Sequence, residues 1–329
     1  MSNAGKFGAG GGSSASSASF SSNGGNGQRG AVRIIYPTPQ GQSNTTTILD
    51  RGLPVEANAL SWSPSNITTY AWFDGDDNTT IYTDTAKTTN ATNGQDVQLW
   101  ADKSGNSRDI QKIGTSNVPN YNSSGLNSKG VLQSNVYDGL EHQLSTNFTS
   151  RSWEVYTVVK VNNASGSADN YPRIMTFGAA SGNDYDNAGS FIPILYHNVS
   201  GYFYSYQINT GPTLSGYTNG TFRLASSRSD GTTAYVSLDG GTETTSSKSF
   251  TANATGFRLF APVQTGIGNN LSSSGAASDS FLDGAIAELV FISGNLSNGN
   301  KQKLEGYLSH KWGLEGNLPS GHPYKTEAP

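Results

Sequence analysis

Three tyrosines at alternate positions stand out as side chains that could hold a ligand. The segment Gly201-Tyr-Phe-Tyr-Ser-Tyr-Gln-Ile places Tyr202, Tyr204 and Tyr206 on one face of a strand, because side chains there alternate between faces. Exposed phenols stack on the apolar faces of sugar rings and hydrogen-bond their hydroxyls. The same row would serve equally as an aromatic core stripe or as a subunit contact, since tyrosine is enriched at interfaces in general. Both readings stay open at this point.

A second cluster is acidic. Asp74-Gly-Asp-Asp-Asn begins like a calcium loop, with oxygen ligands at the alternating positions Asp74 and Asp76. An EF-hand needs glycine sixth and glutamate twelfth, and Thr79 and Thr85 stand there instead. A looser Ca2+ site, with Asp102 or Asp184 and Asp186 contributing, is one reading. A polar turn after a strand is the other, because turns alone enrich aspartate.

Catalytic constellations are sparse. A glycosidase needs two facing carboxylates, and Glu141, Glu154, Glu243, Glu288 and Glu305 are isolated from one another in the chain. No Gly-x-Ser-x-Gly elbow is present. His142, His197, His310 and His322 lack zinc-ligand spacing. The chain has no cysteine, which excludes thiol catalysis and Cys-zinc sites. Gly25-Asn-Gly-Gln-Arg-Gly matches the dinucleotide fingerprint in its letters, but that motif must follow a strand and open a helix. Here it precedes a strand. The expectation is a binding protein rather than an enzyme, although carboxylates distant in sequence can still meet in space.

The elements that would position these residues are mostly strands. From about residue 62 onward, short alternating runs are separated by Gly/Asn/Asp/Ser clusters, the pattern of a sandwich or barrel. Trp153, Val155, Val159 and Val161 share one face of a strand, and Ala234, Val236 and Leu238 share another before a turn at Asp239-Gly-Gly. Phe281-Leu-Asp-Gly-Ala-Ile-Ala-Glu-Leu-Val-Phe-Ile is too apolar on both faces to be uncovered. One amphipathic helix follows, capped by Ser297 or Asn298, with Leu304, Leu308 and Trp312 on one face and Gly313 ending it. Gly306 sits mid-helix at a cost of about 1 kcal/mol against alanine. That implies close packing of the helix on a strand.

The N-terminal residues 1–36 are Gly/Ser-rich and end in the strand Ala31-Val-Arg-Ile-Ile-Tyr. They read as a flexible linker, or as an assembly segment ordered within an oligomer. Residues 37–61 form a polar connector, and 62–329 the main domain.

Charged residues make up 13% of the 329-residue chain, about half the usual share, and Gly, Ser, Thr and Asn fill the gap. The net charge of −4 comes without a basic run, so nucleic acid is not an expected partner. No apolar run is long enough to span a membrane. The opening residues lack the basic-then-apolar layout of a signal peptide, so unconventional export or release by lysis is expected. Sequons such as Asn66, Asn78, Asn147 and Asn219 matter only on a eukaryotic secretory route.

Several segments carry a resemblance. Trp72-Phe-Asp-Gly-Asp-Asp, Trp100-Ala-Asp-Lys-Ser-Gly-Asn, Val131-Leu-Gln-Ser-Asn-Val-Tyr-Asp-Gly-Leu and the hairpin from Asp230 occur in order, ahead of the apolar strand, the helix and Gly316-Asn-Leu-Pro. Together they resemble laminin-G-like, concanavalin-A-like jelly rolls of bacteriophage structural and bacterial adhesive proteins. Tyr137 replaces the phenylalanine of the family's Asp-Gly strand. The Gly-rich start resembles the closing part of phage fibre modules. The resemblance implies an all-β fold: a two-sheet antiparallel jelly-roll sandwich with one short C-terminal helix. Some members of the family carry calcium, which bears on Asp74 and Asp76.

The expected function is therefore a virion surface structural protein (capsid decoration, fibre or tail-associated subunit), located on the virion surface. Expected partners are further copies of the chain, other virion structural proteins and a host-surface saccharide. The alternative is a carbohydrate-binding module of a bacterial extracellular filament or adhesin, and a glycan-degrading enzyme comes third.

Overall fold

The computed structural model describes residues 61–329 apart from 136, 163–170, 198–200, 208–210 and 271–279, together with 32–34 and 47–49. Two compact units divide the chain, Met1–Ala59 and Leu60–Pro329. In the first, β1 (Val32–Ile34) and β2 (Thr47–Leu49) form an antiparallel pair with Arg33 opposite Ile48. The expected Gly/Ser-rich assembly segment and most of the connector lie outside the described residues.

The second unit opens with β3 (Ala71–Asp74), β4 (Ile81–Tyr82), β5 (Leu99–Trp100), β6 (Ile110–Lys112), β7 (Asn120–Leu126), β8 (Lys129–Ser134) and β9 (Leu140–Phe148). Next come β10 (Ser152–Val161), β11 (Arg173–Gly178), β12 (Phe191–His197), β13 (Tyr202–Tyr206) and β14 (Thr213–Ser215). The series ends with β15 (Phe222–Asp230), β16 (Thr233–Leu238), β17 (Thr244–Ser247), β18 (Ala254–Leu259), β19 (Gly284–Ser293) and the helix α1 (Asn298–Trp312).

These strands form two antiparallel sheets. The eight-stranded sheet runs β17-β16-β15-β10-β19-β8-β7, with β3 also paired to β19. The nine-stranded sheet runs β14-β13-β12-β11-β18-β9-β6-β5-β4. Its edge strands β14 and β4 are only three and two residues long, which limits the unpaired backbone offered to other chains. The expected all-β, jelly-roll-like sandwich with a single C-terminal helix is what the chain forms.

The sheets are held together by an aromatic core. Phe177 stacks on Phe191 with ring centroids 4.8 Å apart, and Trp153, Phe148, Phe257 and Phe291 pack around them. Trp153, Val155, Val159 and Val161 of β10 all face this core, as their alternation requires.

A second core lies on the outer face of the eight-stranded sheet. There Tyr156, Val158, Val290 and Ile292 meet Leu304, Leu308 and Trp312 of α1. This explains why β19 is apolar on both faces: one faces the inner core and the other faces the helix. The Ser297 hydroxyl caps α1 by accepting from the Asn300 N–H, and Gly313 terminates it at φ 66°. Gly306 does face a close neighbour, though not a strand. A Cβ at Gly306 would lie 2.5 Å from Cβ of Tyr324, so the C-terminal tail is what packs there.

Candidate functional site

The tyrosine row lies on the outer face of the nine-stranded sheet. In β13, Phe203 points into the inner core, so Tyr202, Tyr204 and Tyr206 point outward. The ladder with β12 sets His197 opposite Tyr202, Leu195 opposite Tyr204 and Ile192 opposite Tyr206. A register shift between Ile192 and Leu195 brings these β12 residues to the same face. Ile192 and Leu195 thereby form an apolar floor beneath the rings.

Five rings form a continuous array. Tyr171 stacks on His197 at 4.5 Å, His197 meets Tyr202 at 4.9 Å, and Tyr202 meets Tyr204 edge-on at 5.4 Å. Tyr204 meets Tyr206 edge-on at 5.7 Å. Edge-to-face contacts at these spacings hold the rings in fixed orientations. Tyr204, the middle of the row, is only 7% exposed, while Tyr202 and Tyr206 are half-buried. Part of the row is thus core and part is surface.

Burial pushes the Tyr204 phenol far above its ordinary range despite the opposing charge of Arg173, so its hydroxyl keeps its proton. Burial also lowers the His197 pKa, which leaves a neutral imidazole in the array at pH 7. Among the described residues, its Nδ1 is buried without a hydrogen-bond partner. Arg173, at the margin, is engaged by both oxygens of Asp184 at 3.1 and 3.3 Å. The face can offer ring surfaces and hydroxyls. The sequence named His197 only as a histidine without zinc spacing and did not name Tyr171; the β12–β13 register brings His197 beside Tyr202, and Tyr171, just ahead of β11, stacks on it.

The acidic turn has a different environment. Asp74 accepts from Lys103 at 2.8 Å and from Lys311 at 2.6 Å, and Asp76 accepts from Lys129 at 2.9 Å. Burial alone would raise the Asp74 pKa, but the charges of Lys311 and Lys103 outweigh it and hold the carboxyl below its usual range. Lys311 also reaches Glu288 at 2.7 Å. Glu288 is fully buried and accepts from the indoles of Trp72 (2.7 Å) and Trp312 (2.8 Å) and from the Tyr307 hydroxyl (3.2 Å).

This network ties β3, β19 and α1 together. Its carboxylates are neutralised by lysines, so Asp74 and Asp76 as placed do not form a cation cage. Asp102 caps its own turn by accepting from the N–H groups of Trp72, Ser104 and Arg108, and Asp184 is held by Arg173. Among the described residues, no group of three or more His, Cys, Asp or Glu side chains is placed to hold a metal.

The glutamates that are isolated in sequence are not all isolated in space. Burial pushes the Tyr156 phenol well above its ordinary range, and the charges of Glu154, Glu305 and Glu243 add to that. Glu154 accepts from the Tyr156 hydroxyl at 2.5 Å, Glu243 from Arg228 and Lys301, and Glu305 pairs with His322.

No protein-family model matches the sequence, and no curated protein does. Solved structures do resemble the fold. A Trypanosoma rangeli sialidase in complex with sialic acid matches at 11% identity and a TM-score of 0.44, over 74% of this chain and 33% of that one. A GH54 α-L-arabinofuranosidase soaked with a cyclic sulfate inhibitor matches at 12% identity and a TM-score of 0.43, over 64% and 50%. Domain 4 of AbnA, a GH43 extracellular arabinanase from Geobacillus stearothermophilus, in complex with arabinotriose, matches at 14% identity and a TM-score of 0.46, over 72% and 98%. The chain spans about a third of the sialidase it matches.

Two expectations are corrected here. The virion surface role and the non-enzymatic reading give way, because the matched structures are of glycoside hydrolases, a sialidase covalent intermediate among them. Glu154, Glu243 and Glu305, which are isolated in the chain, all act on Tyr156 in the fold. By its own strand order the chain is a jelly-roll-like β-sandwich.

Proposed function

We propose that the sandwich is a saccharide-binding domain that works outside the cell, with the tyrosine row on the nine-stranded sheet as its contact face. The observation that carries this reading is the ring array itself. Tyr171, His197, Tyr202, Tyr204 and Tyr206 form a chain of ring contacts, stacked at Tyr171–His197 and edge to face along the tyrosines of β13, over the apolar floor of Ile192 and Leu195, and Tyr202 and Tyr206 remain partly open to solvent. Rigid rings lose little freedom on binding, and their faces suit the C–H surface of a pyranose or furanose. The Trp100-Ala-Asp-Lys-Ser-Gly-Asn turn and the C-terminal helix support placing the domain with laminin-G-like, concanavalin-A-like jelly rolls.

A shallow face of this kind binds a single sugar weakly. Linked copies gain roughly 10²–10⁴ in avidity, and residues 1–36 are proposed to bring copies together. Arabinotriose and a sialylated oligosaccharide are the first probes, displayed on a surface and presented with the full chain. The same incubation is assayed for released reducing sugar, which separates recognition from cleavage. Retention on either surface supports the reading; absence of retention at every density of display contradicts it.

A further inference from the structure

A cleft of about 300 Å³ opens at the β7 edge of the eight-stranded sheet, away from the tyrosine row. Its lining is rich in carboxamides: Asn93, Asn120, Asn122, Gln133 and Asn135, with Tyr121. The β7–β8 ladder builds this arrangement. Asn120 stands opposite Gln133, and Asn122, two residues further along β7, shares its face. The preceding loop is fixed to the same edge, with the Gly94 N–H on the Tyr121 carbonyl at 2.7 Å and a bridge between Asp96 and Asn120. Asn93 is thereby held at the rim.

The internal hydrogen bonds leave a defined set of groups for a ligand. Asn120 Nδ2 donates to Asp96 at 2.6 Å, which leaves its carbonyl oxygen as an acceptor. Asn93 Oδ1 accepts from the N–H and hydroxyl of Ser123 at 3.0 and 3.2 Å, which leaves its amide N–H groups as donors. Gln133 Oε1 accepts from Asn122 at 3.4 Å, again leaving an N–H₂ group. No side chain of this lining carries a formal charge.

We propose that this cleft binds an uncharged saccharide unit through neighbouring hydroxyls. Each hydroxyl of a sugar both donates and accepts, and carboxamides offer both functions side by side. A lining without charge gives an ionic ligand nothing to offset its desolvation. A lining made mostly of amides gives an apolar ligand little to gain. The cleft sits at the small end of ligand sites, about 300–1,000 Å³, and has room for a monosaccharide unit. Its chemistry is hydrogen bonding where that of the tyrosine row is ring stacking, and the two sites lie on different sheets. The proposal therefore stands apart from the function proposed for the tyrosines.

The test is a titration of the isotope-labelled full chain, followed through its side-chain amide signals. The probes are the methyl glycosides of glucose, galactose and mannose. At least one should give saturable shifts at Asn93, Asn120, Asn122 or Gln133, with an affinity of about millimolar, as a few net hydrogen bonds allow. The double variant Asn93→Ala, Gln133→Leu should weaken that affinity about tenfold or more. The double variant Tyr202→Ala, Tyr206→Ala should leave it unchanged. The absence of saturable shifts in this cleft with all three glycosides overturns the proposal in the unmodified protein alone. Shifts that survive unaltered in the cleft variant overturn it as well.

Discussion

Replacing Trp312 with alanine should remove much of the stability of the sandwich. Trp312 is fully buried, packs with Leu304 and Leu308 on the outer face of the eight-stranded sheet, and donates its indole N–H to Glu288 at 2.8 Å. Truncating a buried tryptophan costs about 3–5 kcal/mol in lost burial and cavity formation. Glu288 then loses one of four donors while fully buried, which adds about 1–3 kcal/mol. The sum approaches the whole stability of an ordinary domain, about 5–15 kcal/mol. The variant Trp312→Phe separates the two contributions, because it keeps most of the ring and removes the N–H; it should cost about 1–3 kcal/mol. Urea unfolding of all three proteins gives the values, with an unchanged slope confirming that only stability moved. A cost below about 1 kcal/mol for Trp312→Ala would refute the claim that the helix is anchored here.

Three further outcomes are expected. Burial, helped by the charge of Asp96, raises the Asp138 pKa to about 6 against the pull of its hydrogen bonds, so its neutral form favours the folded state. That contribution is complete below the unfolded pKa of about 3.9 and is lost as pH rises through about 6, so Asp138→Asn should stabilise the protein at pH 7 and not at pH 3.5. Thermal unfolding at both values checks this, and equal shifts would contradict it. Gly306→Ala should loosen the C-terminal tail, because its Cβ meets Tyr324 at 2.5 Å; proteolysis should then cut near Tyr324 sooner than in the parent. Deleting residues 1–36 should leave a folded sandwich of lower mass by light scattering; an unchanged oligomer would remove that segment from assembly.

Local patterns were legible in the sequence and long-range partners were not. Leu304, Leu308 and Trp312 recur on one helical face, and the end of α1 is marked by Gly313, so that element could be drawn without coordinates. The alternation in β13 separates Tyr202, Tyr204 and Tyr206 from Phe203 in the same way. What lies across a strand is set by pairing register, which alternation does not encode. His197 beside Tyr202 and Gln133 beside Asn120 therefore emerge only from the ladders.

The acidic turn shows the same limit more sharply. Asp74 looks like a metal ligand until Lys103 and Lys311 arrive from distant parts of the chain. Gly306 signals a close approach, but a glycine does not name its neighbour, and the neighbour is the tail at Tyr324. Glu154, Glu243 and Glu305 look solitary for a related reason, because β10, the connection ahead of β17 and α1 each supply one of the charges that act on Tyr156.

The tyrosine face is most directly tested by calorimetric titration of arabinotriose, and separately of a sialylated trisaccharide, into the full chain and into the double variant Tyr202→Ala, Tyr206→Ala. Both tyrosines are partly exposed, so the variant should keep its fold, which its unfolding curve verifies. The account predicts weak, saturable binding of at least one saccharide by the parent and a loss of about tenfold or more in the variant, as removal of aromatic contacts gives. Equal affinity in the two proteins would contradict it, and so would the absence of binding by the parent.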